Sequence, residues 1–189
     1  MFAVIMLVAS SAFALPETGY IGLFKDATHD TSWPANTVCP PVYGQFQCWI
    51  WCLPSERGLQ AAEFAVSFPP TVVVLATVQN PSLIVRLCCG TLATGVSVAF
   101  AEGMCQMDWV WLYQLTMMSL SAAPAKIEIV PHPGTLPVPA YQFATCQPGY
   151  PIEPCINLTP LYLCWTPNPG PLGAQGTTWG AIKNLFWER

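Results

Sequence analysis

Twenty prolines interrupt this 189-residue chain, and they constrain its fold more than any other feature. Proline lacks a backbone hydrogen-bond donor and breaks a helix interior, so we do not expect long helices. Between the prolines lie short apolar stretches bounded by Gly, Asn and Ser, which is the pattern of an antiparallel sandwich or barrel. The sequence therefore predicts an all-β fold.

Short apolar stretches supply the predicted strands. In the stretch 45–53, QFQCWIWCL, alternate residues face opposite sides of a sheet, which places Trp49 and Trp51 on one face. The stretch 71–78 is β-branched, and we expect it to be buried on both faces. The predicted strands are 19–25, 45–53, 59–68, 71–78, 82–88, 95–100, 109–118, 126–130, 141–144 and 161–165.

The two ends of the chain differ from the strand-rich region between them. Residues 1–14, MFAVIMLVASSAFA, contain an apolar run that ends in Ala-Phe-Ala, as in a cleaved secretory signal peptide. The run is shorter than the roughly 20 residues that span a bilayer. Residues 15–165 are predicted to form one β-sandwich domain, 166–176 a Pro- and Gly-rich linker, and 177–189 a short C-terminal helix. We therefore expect an exported protein that works outside the cell or at its surface.

Charged residues are scarce, at 8% of the chain, and the net charge is −4. Nucleic-acid binding needs clustered Lys and Arg, so that function is set aside. The segments 87–101 and 109–125 contain no charged residue, which leaves a small membrane-embedded accessory subunit as an alternative. Both segments are at or below the length that spans a bilayer, and their composition suits strands better. We therefore expect no stable membrane span after signal cleavage.

Nine cysteines suit an exported chain whose thiols are mostly paired. The odd number leaves at least one that is unpaired or bridged to another chain. Cys48 and Cys52 lie about 13 Å apart along one strand, too far for a disulfide with each other. The loop between Cys146 and Cys155 is rich in turn residues, so Cys146–Cys155 is the first disulfide that we predict.

A second disulfide is predicted across a possible hairpin. It joins Cys105 either to Cys88 or to Cys89, and the sequence leaves that choice open. Paired C-x-x-C or histidine spacing is missing, so the sequence indicates no zinc site.

Two Trp-x-Trp units are the most suggestive candidates for a binding site. Trp49 and Trp51 share one strand face, and Trp109, Trp111 and Tyr113 share another. Exposed flat aromatic side chains can stack on sugar rings, so these five residues form a candidate ligand platform. The favoured interpretation is that the indoles pack between sheets or under loops, where large aromatic residues usually lie.

Catalytic motifs are missing from the sequence. It contains no G-x-S-x-G nucleophile elbow, no H-E-x-x-H motif and no phosphate-binding glycine loop. His29 lies between Asp26 and Asp30, where oxygen ligands for calcium are conceivable, but the spacing favours a solvated loop. Whether two carboxylates converge as in a glycosidase stays open, and the candidates are Glu63, Glu102, Asp108 and Glu128. We predict a chain that is not an enzyme and has no cofactor or metal.

The stretch 58–78, GLQAAEFAVSFPPTVVVLATV, resembles the part of bacterial cohesin-type surface β-sandwiches where one strand ends in a proline turn and another follows. Those proteins usually carry Asp-Pro-Ser at the turn, whereas this chain has Pro69-Pro70-Thr71. The resemblance implies an Ig-like or cohesin-like antiparallel β-sandwich of about eight to ten strands. It transfers no binding residue to this chain.

These observations predict a secreted, disulfide-containing, non-catalytic binding or structural module. Its expected partner is an extracellular glycan or protein. The alternative is a self-assembling subunit of an extracellular fibre or surface layer, because low charge, spare aromatic faces and an odd cysteine favour contacts between copies.

Overall fold

A computed structural model describes residues 15–29, 36–86, 90–121, 123–134, 141–158 and 160–163. The predicted signal peptide, linker and C-terminal helix lie outside these residues. The described part is all-β, with thirteen strands: β1 (Tyr20–Phe24), β2 (Thr37–Val38), β3 (Gln45–Leu53), β4 (Ala61–Ser67), β5 (Val72–Gln79), β6 (Leu83–Arg86), β7 (Val96–Phe100), β8 (Val110–Ser119), β9 (Ala125–Val130), β10 (Gln142–Ala144), β11 (Ile152–Pro154), β12 (Ile156–Asn157) and β13 (Leu161–Leu163).

The strands form two sheets, which we call the front and back sheets. The front sheet has the order β12-β1-β3-β8-β5. The back sheet has the order β11-β10-β4-β9-β13-β2, with β7 paired to β4 and β6 paired to β7. Pairing is antiparallel except for β1 with β12 and β2 with β13, which are parallel. The prediction of an all-β sandwich is confirmed.

Residues between the sheets form one apolar core. Alternation in β3 places Ile50 and both of its cysteines inside and its tryptophans outside, as the sequence predicts. From the back sheet, the Phe64 ring meets the Tyr113 ring edge-on, with centroids 6.3 Å apart. Within the described ranges, no helix is long and apolar enough to cross a membrane.

A β-bulge in β8 changes which side chains face the core. Ile50 pairs with Tyr113 and Trp51 pairs with Trp111, so Leu112 is an extra residue in the ladder. An extra residue reverses the alternation of the residues beyond it. Tyr113 therefore faces inward and is fully buried. Its predicted place on the same face as Trp111 is wrong.

Among the described strands, β5 lies at the end of the front sheet and pairs with β8 alone. It is exposed over most of its length, with Leu75 44% and Val78 51% accessible. The expectation that this β-branched stretch is buried on both faces is therefore wrong. Burial of both faces of a strand needs a packed layer against each face. A two-layer sandwich supplies a layer against the inner face only, and an edge strand lies at the margin of that layer.

One disulfide among the described cysteines joins Cys105 to Cys146, with Cα atoms 5.7 Å apart. The predicted Cys146–Cys155 pair is wrong, because Cys155 is a buried free thiol. The predicted bond from Cys105 to Cys88 or Cys89 is wrong for the same reason, since its sulfur already bonds to Cys146. Gly58 makes room for the bridge: its φ is +75°, and a Cβ there would lie 2.8 Å from Cys146 Sγ.

Cys48 and Cys52 are free thiols facing the core. The sequence argument that they cannot bond to each other agrees with this arrangement. Burial raises the pKa of Cys48 and of Cys155, and it raises the pKa of Cys52 together with the nearby Cys155. All three sulfurs therefore stay protonated and unreactive in the folded protein.

Candidate functional site

Four aromatic side chains form a cluster on the outer side of the front sheet, which we call the aromatic cluster. The His29 ring stacks on the Trp109 ring, with centroids 4.5 Å apart and planes 7° from parallel. The same imidazole meets Trp51 edge-on at 5.0 Å. Phe24 completes the cluster through an edge-to-face contact with Trp109 at 5.8 Å.

A turn after β1 brings His29 into this position. Asp26 Oδ1 accepts hydrogen bonds from the backbone N–H and the hydroxyl of Thr28. His29 follows with a left-handed φ of +46°, which folds the ring back over the sheet. The surface of Trp109 on which a sugar could stack is therefore covered by the protein's own imidazole. In the described residues, no group of three or more His, Cys, Asp and Glu could hold a metal ion.

The predicted aromatic platform is only partly assembled. Trp49 and Trp51 share the outer side of β3, and Trp111 pairs with Trp51 across the ladder. Trp109 joins them through the aromatic cluster, whereas the bulge turns the Tyr113 side chain into the core. All four indoles are partly buried rather than open. Their role in ligand binding stays a prediction.

A broader feature surrounds these residues, which we call the uncharged face. It is the outer side of β3, β8 and β5, and no Asp, Glu, Lys or Arg occurs in any of the three strands. From the spacing of paired strands and the rise per residue, the face is roughly 10 Å across and 25 Å long before side-chain width is counted. Its rows are Gln45–Met118–Val73, Gln47–Thr116–Ala76 and Trp49–Gln114–Val78.

Tyr43 lies at one end of the uncharged face, where β3 begins and β8 ends. Its backbone N–H donates to the Ser119 carbonyl at 2.7 Å, and the Ser119 N–H donates to Gly44 at 3.2 Å. The tyrosine is 70% exposed and has a φ of +59°, an unfavourable conformation for a bulky residue. Strain of this kind persists only where the surrounding structure holds it, and it often marks a binding position.

Sequence reasoning missed both Tyr43 and the exposure of β5. A tyrosine before glycine in a turn gives no signal for a left-handed φ. The edge position of β5 did have a signal, because Pro70 precedes the strand and Pro81 follows it. Proline next to a strand is typical of sheet edges, where a missing donor does little harm.

Three of the four candidate carboxylates are engaged in separate local contacts. Glu63 accepts a hydrogen bond from the Ser97 hydroxyl at 2.7 Å, and Glu128 pairs with Lys126 at 2.7 Å. Asp108 accepts the backbone N–H of Trp109. Each of these contacts stabilises the local structure, so none of them indicates an acid–base pair.

No protein-family model matches the sequence, and no curated protein is similar to it. Solved structures do resemble the fold. A cohesin module of a family 33 glycoside hydrolase from Clostridium perfringens is 8% identical with a TM-score of 0.55, covering 79% of this chain and 99% of its own. A type II cohesin from the Acetivibrio cellulolyticus cellulosome is 8% identical with a TM-score of 0.53, covering 77% and 95%.

A third structure was solved with a bound partner. The sixth cohesin of Acetivibrio cellulolyticus scaffoldin B, in complex with the Cel5 dockerin, is 9% identical with a TM-score of 0.51 and covers 79% of this chain and 99% of its own. At such identities the similarity concerns architecture. The chain therefore has a cohesin-like β-sandwich fold, and the predicted resemblance is confirmed.

Proposed function

We propose that this chain is an exported, non-catalytic module that binds another protein through the uncharged face. The observation that carries the proposal is the composition of that face: Trp, Met, Gln, Thr and Val over three adjacent strands without a charge. Protein interfaces are depleted in charged residues at their centres and enriched in aromatic residues and Met. Tyr43 would act as an anchor at one end, since exposed tyrosines are common at binding hot spots.

The fold supports the same proposal. Cohesin-like sandwiches include structures solved as complexes with dockerin proteins. The disulfide between Cys105 and Cys146 is in keeping with an oxidising compartment, since such bonds rarely persist in the cytosol. The free thiols among the described residues, Cys48, Cys52 and Cys155, are compatible with such a compartment because they are buried and protonated.

A protein partner is better supported than a glycan. A sugar platform needs open aromatic faces, and His29 already covers Trp109 and contacts Trp51. The remaining outer residues of β3 and β8 lie in extended cross-strand rows, which suit a protein surface more than a small ring.

Site-specific photocrosslinking tests the proposal. A benzophenone amino acid is placed at Gln47, on the uncharged face, or at Gln142, on the outer side of the back sheet, in the full chain secreted by its native host. We expect a discrete crosslinked protein from position 47 and none from position 142. Gln47→Arg should weaken capture by a second crosslinker at Thr116 about tenfold or more, because an unpaired charge would be desolvated at the interface.

Two results would overturn the proposal. One is equal crosslinking from both glutamine positions. The other is unchanged capture by the Gln47→Arg protein when its fold is intact by circular dichroism. A product made of two copies of this chain would instead favour the self-assembling subunit.

A further inference from the structure

A groove opens on the inner side of β5, away from the uncharged face. It has a volume of about 330 Å³, at the small end of ligand sites. It lies where the front sheet ends and the turn before β7 begins. Its lining is Phe68, Val74, Thr77, Thr91, Leu92 and Ala93.

Hydrogen bonds hold the far wall of the groove in place. The Val66 N–H donates to the Leu92 carbonyl at 2.7 Å, which ties the turn to β4. Within the turn, the Thr91 N–H donates to the Thr94 hydroxyl at 2.8 Å, and the Thr94 N–H donates back to the Thr91 carbonyl at 3.0 Å. The groove is therefore preformed, and its occupant need not order the wall.

The open edge of β5 supplies backbone groups beside this groove. The Asn80 N–H donates to the Leu112 carbonyl at 2.9 Å. Because antiparallel bonding alternates along a strand, Val78 then faces β8, while Thr77 and Gln79 turn their backbone groups to the open side. A row of unpaired donors and acceptors is a template for another extended chain.

Exposed apolar side chains concentrate at the same edge. Among the described residues, five of the twelve exposed large hydrophobic residues belong to β5 or to the turn beside its start: Val73, Val74, Leu75, Val78 and Leu120. This concentration indicates that the edge is covered in the functional state, since long apolar edges otherwise aggregate.

We propose that β5 binds an extended, uncharged segment of a partner protein as an added strand, with alternate apolar side chains of that segment in the groove. The backbone row requires an extended chain rather than a helix. The charge pattern requires a neutral one, because the stretch 64–85 contains no Asp, Glu, Lys or Arg to neutralise a buried charge. This is strand addition, in which main-chain bonds give affinity and pockets give specificity.

A bulge gives the edge selectivity. Leu75 is an extra residue in the ladder between β5 and β8, and the groove-lining residues Val74 and Thr77 lie on either side of it. A bulge bends the edge and disfavours flat generic strands. A second copy of β5 fits less well than a dedicated peptide, because it would bring the same bulge to the pairing, and bulged edges disfavour edge-to-edge pairing of copies.

Binding of synthetic peptides to the full chain tests the proposal. The probe is the capped peptide Thr-Val-Thr-Leu-Thr-Val-Thr, whose apolar residues recur at every second position. One comparison peptide has Lys in place of the three apolar residues, and another has the same composition with the alternation scrambled. We expect saturable binding of the first peptide in two-dimensional NMR titrations, with shifts at Val74, Thr77 and Leu92, and binding at least about tenfold weaker for the other two.

Two variants separate the groove from the backbone edge. Ala93→Phe fills the groove, and its matched control Ala123→Phe changes an exposed turn elsewhere. Thr77→Pro removes a backbone N–H on the open side without breaking a backbone hydrogen bond to β8. The variant should therefore fold but no longer bind an added strand. We expect Ala93→Phe and Thr77→Pro each to weaken the alternating peptide about tenfold or more, with Ala123→Phe unchanged.

The proposal is overturned if the alternating peptide does not bind at millimolar concentration, or if Ala93→Phe leaves its affinity unchanged. It is also overturned if the lysine peptide binds equally well. A further contrary result would be a dimer in sedimentation experiments that Thr77→Pro abolishes but that the alternating peptide does not dissociate. If Thr77→Pro fails to fold, Ala93→Phe still decides the outcome.

Discussion

The centre and the edge of the front sheet are both largely apolar and free of charge, yet they differ sharply in burial. Strands β3 and β8 lie between neighbours on both sides, and their inward residues are buried. Strand β5 is just as apolar and equally free of charge, yet most of it is exposed. Composition made each of them a strand, whereas the number of neighbouring strands decided how much of each is buried.

The difference also separates structural from binding roles. In the centre, three side chains are buried in the core and inaccessible to partners: the two thiols on β3 and the Tyr113 ring on β8. The edge exposes backbone hydrogen-bonding groups and valine side chains to solvent and to a binding partner. Changes to the inward residues of the centre should therefore act on the free energy of unfolding, and changes to exposed residues of the edge should act on binding.

The largest expected effect comes from the same substitution made in both regions. Leu115→Ala removes a fully buried side chain of β8 and should lower the free energy of unfolding by about 2–5 kcal/mol. Leu75→Ala, on exposed β5, should lower it by less than about 1 kcal/mol. Urea denaturation followed by tryptophan fluorescence measures both. Equal losses would contradict the contrast in burial.

Alkaline pH should weaken the centre of the sheet. Below pH 9 each buried thiol is protonated in both states. Above pH 9 the unfolded chain releases these protons, while the raised pKa of Cys48, Cys52 and Cys155 keeps them bound in the folded protein. The unfolded state is then favoured, and the free energy of unfolding should fall by about 1.4 kcal/mol per pH unit for each thiol.

Cys48→Val isolates one of these thiols, since all other titrating groups stay the same. In urea denaturation at pH 8, 9 and 10, the free energy of unfolding should fall less steeply for the variant than for the unsubstituted protein. The difference in slope should be about 1.4 kcal/mol per pH unit above pH 9. Parallel curves for the two proteins would mean that the Cys48 thiol titrates normally in the folded protein.

A smaller effect is expected on the outer side of the centre, at the aromatic cluster. His29→Ala should lower the free energy of unfolding by about 0.5–1.5 kcal/mol, because it removes two ring contacts. It should also expose Trp51 and Trp109, which shifts tryptophan emission to longer wavelength and raises quenching by acrylamide. His132→Ala is the matched control and should leave the emission unchanged. Unchanged quenching in the His29 variant would show that the imidazole does not cover the indoles.

Much of the sandwich could be predicted from the sequence because its determinants are local. Alternation in β3 follows from the period of a strand, and it correctly placed Trp49 and Trp51 opposite Cys48 and Cys52. The bulge at Leu112 could not be read in this way. One extra residue in a uniformly apolar strand leaves the composition unchanged, yet it moves Tyr113 to the other side.

The candidate site depends on contacts between residues that are far apart in the sequence, so local sequence patterns did not predict these contacts. The cover of Trp109 by His29 joins a loop after β1 to the start of β8. The disulfide partner of Cys146 was sought in the nearby loop and found instead 41 residues earlier, at Cys105. Both outcomes depend on which strands the sandwich brings together, and strand order is not encoded in any local pattern.

The smallest effect on stability should come from a charge placed on the edge strand. Val78 is 51% exposed, so in Val78→Lys the ammonium group can reach water, and the free energy of unfolding should change by less than about 0.5 kcal/mol. Val78 lies in a row with Trp49 and Gln114 on the uncharged face, so the same change should strongly reduce partner capture by a crosslinker at Thr116. Thermal unfolding and crosslinking yield measure the two effects separately. A stability loss of about 2 kcal/mol or more would mean that β5 is covered in the isolated protein, since only a buried lysine is that unfavourable. In that case the edge and the centre of the sheet would not differ as proposed.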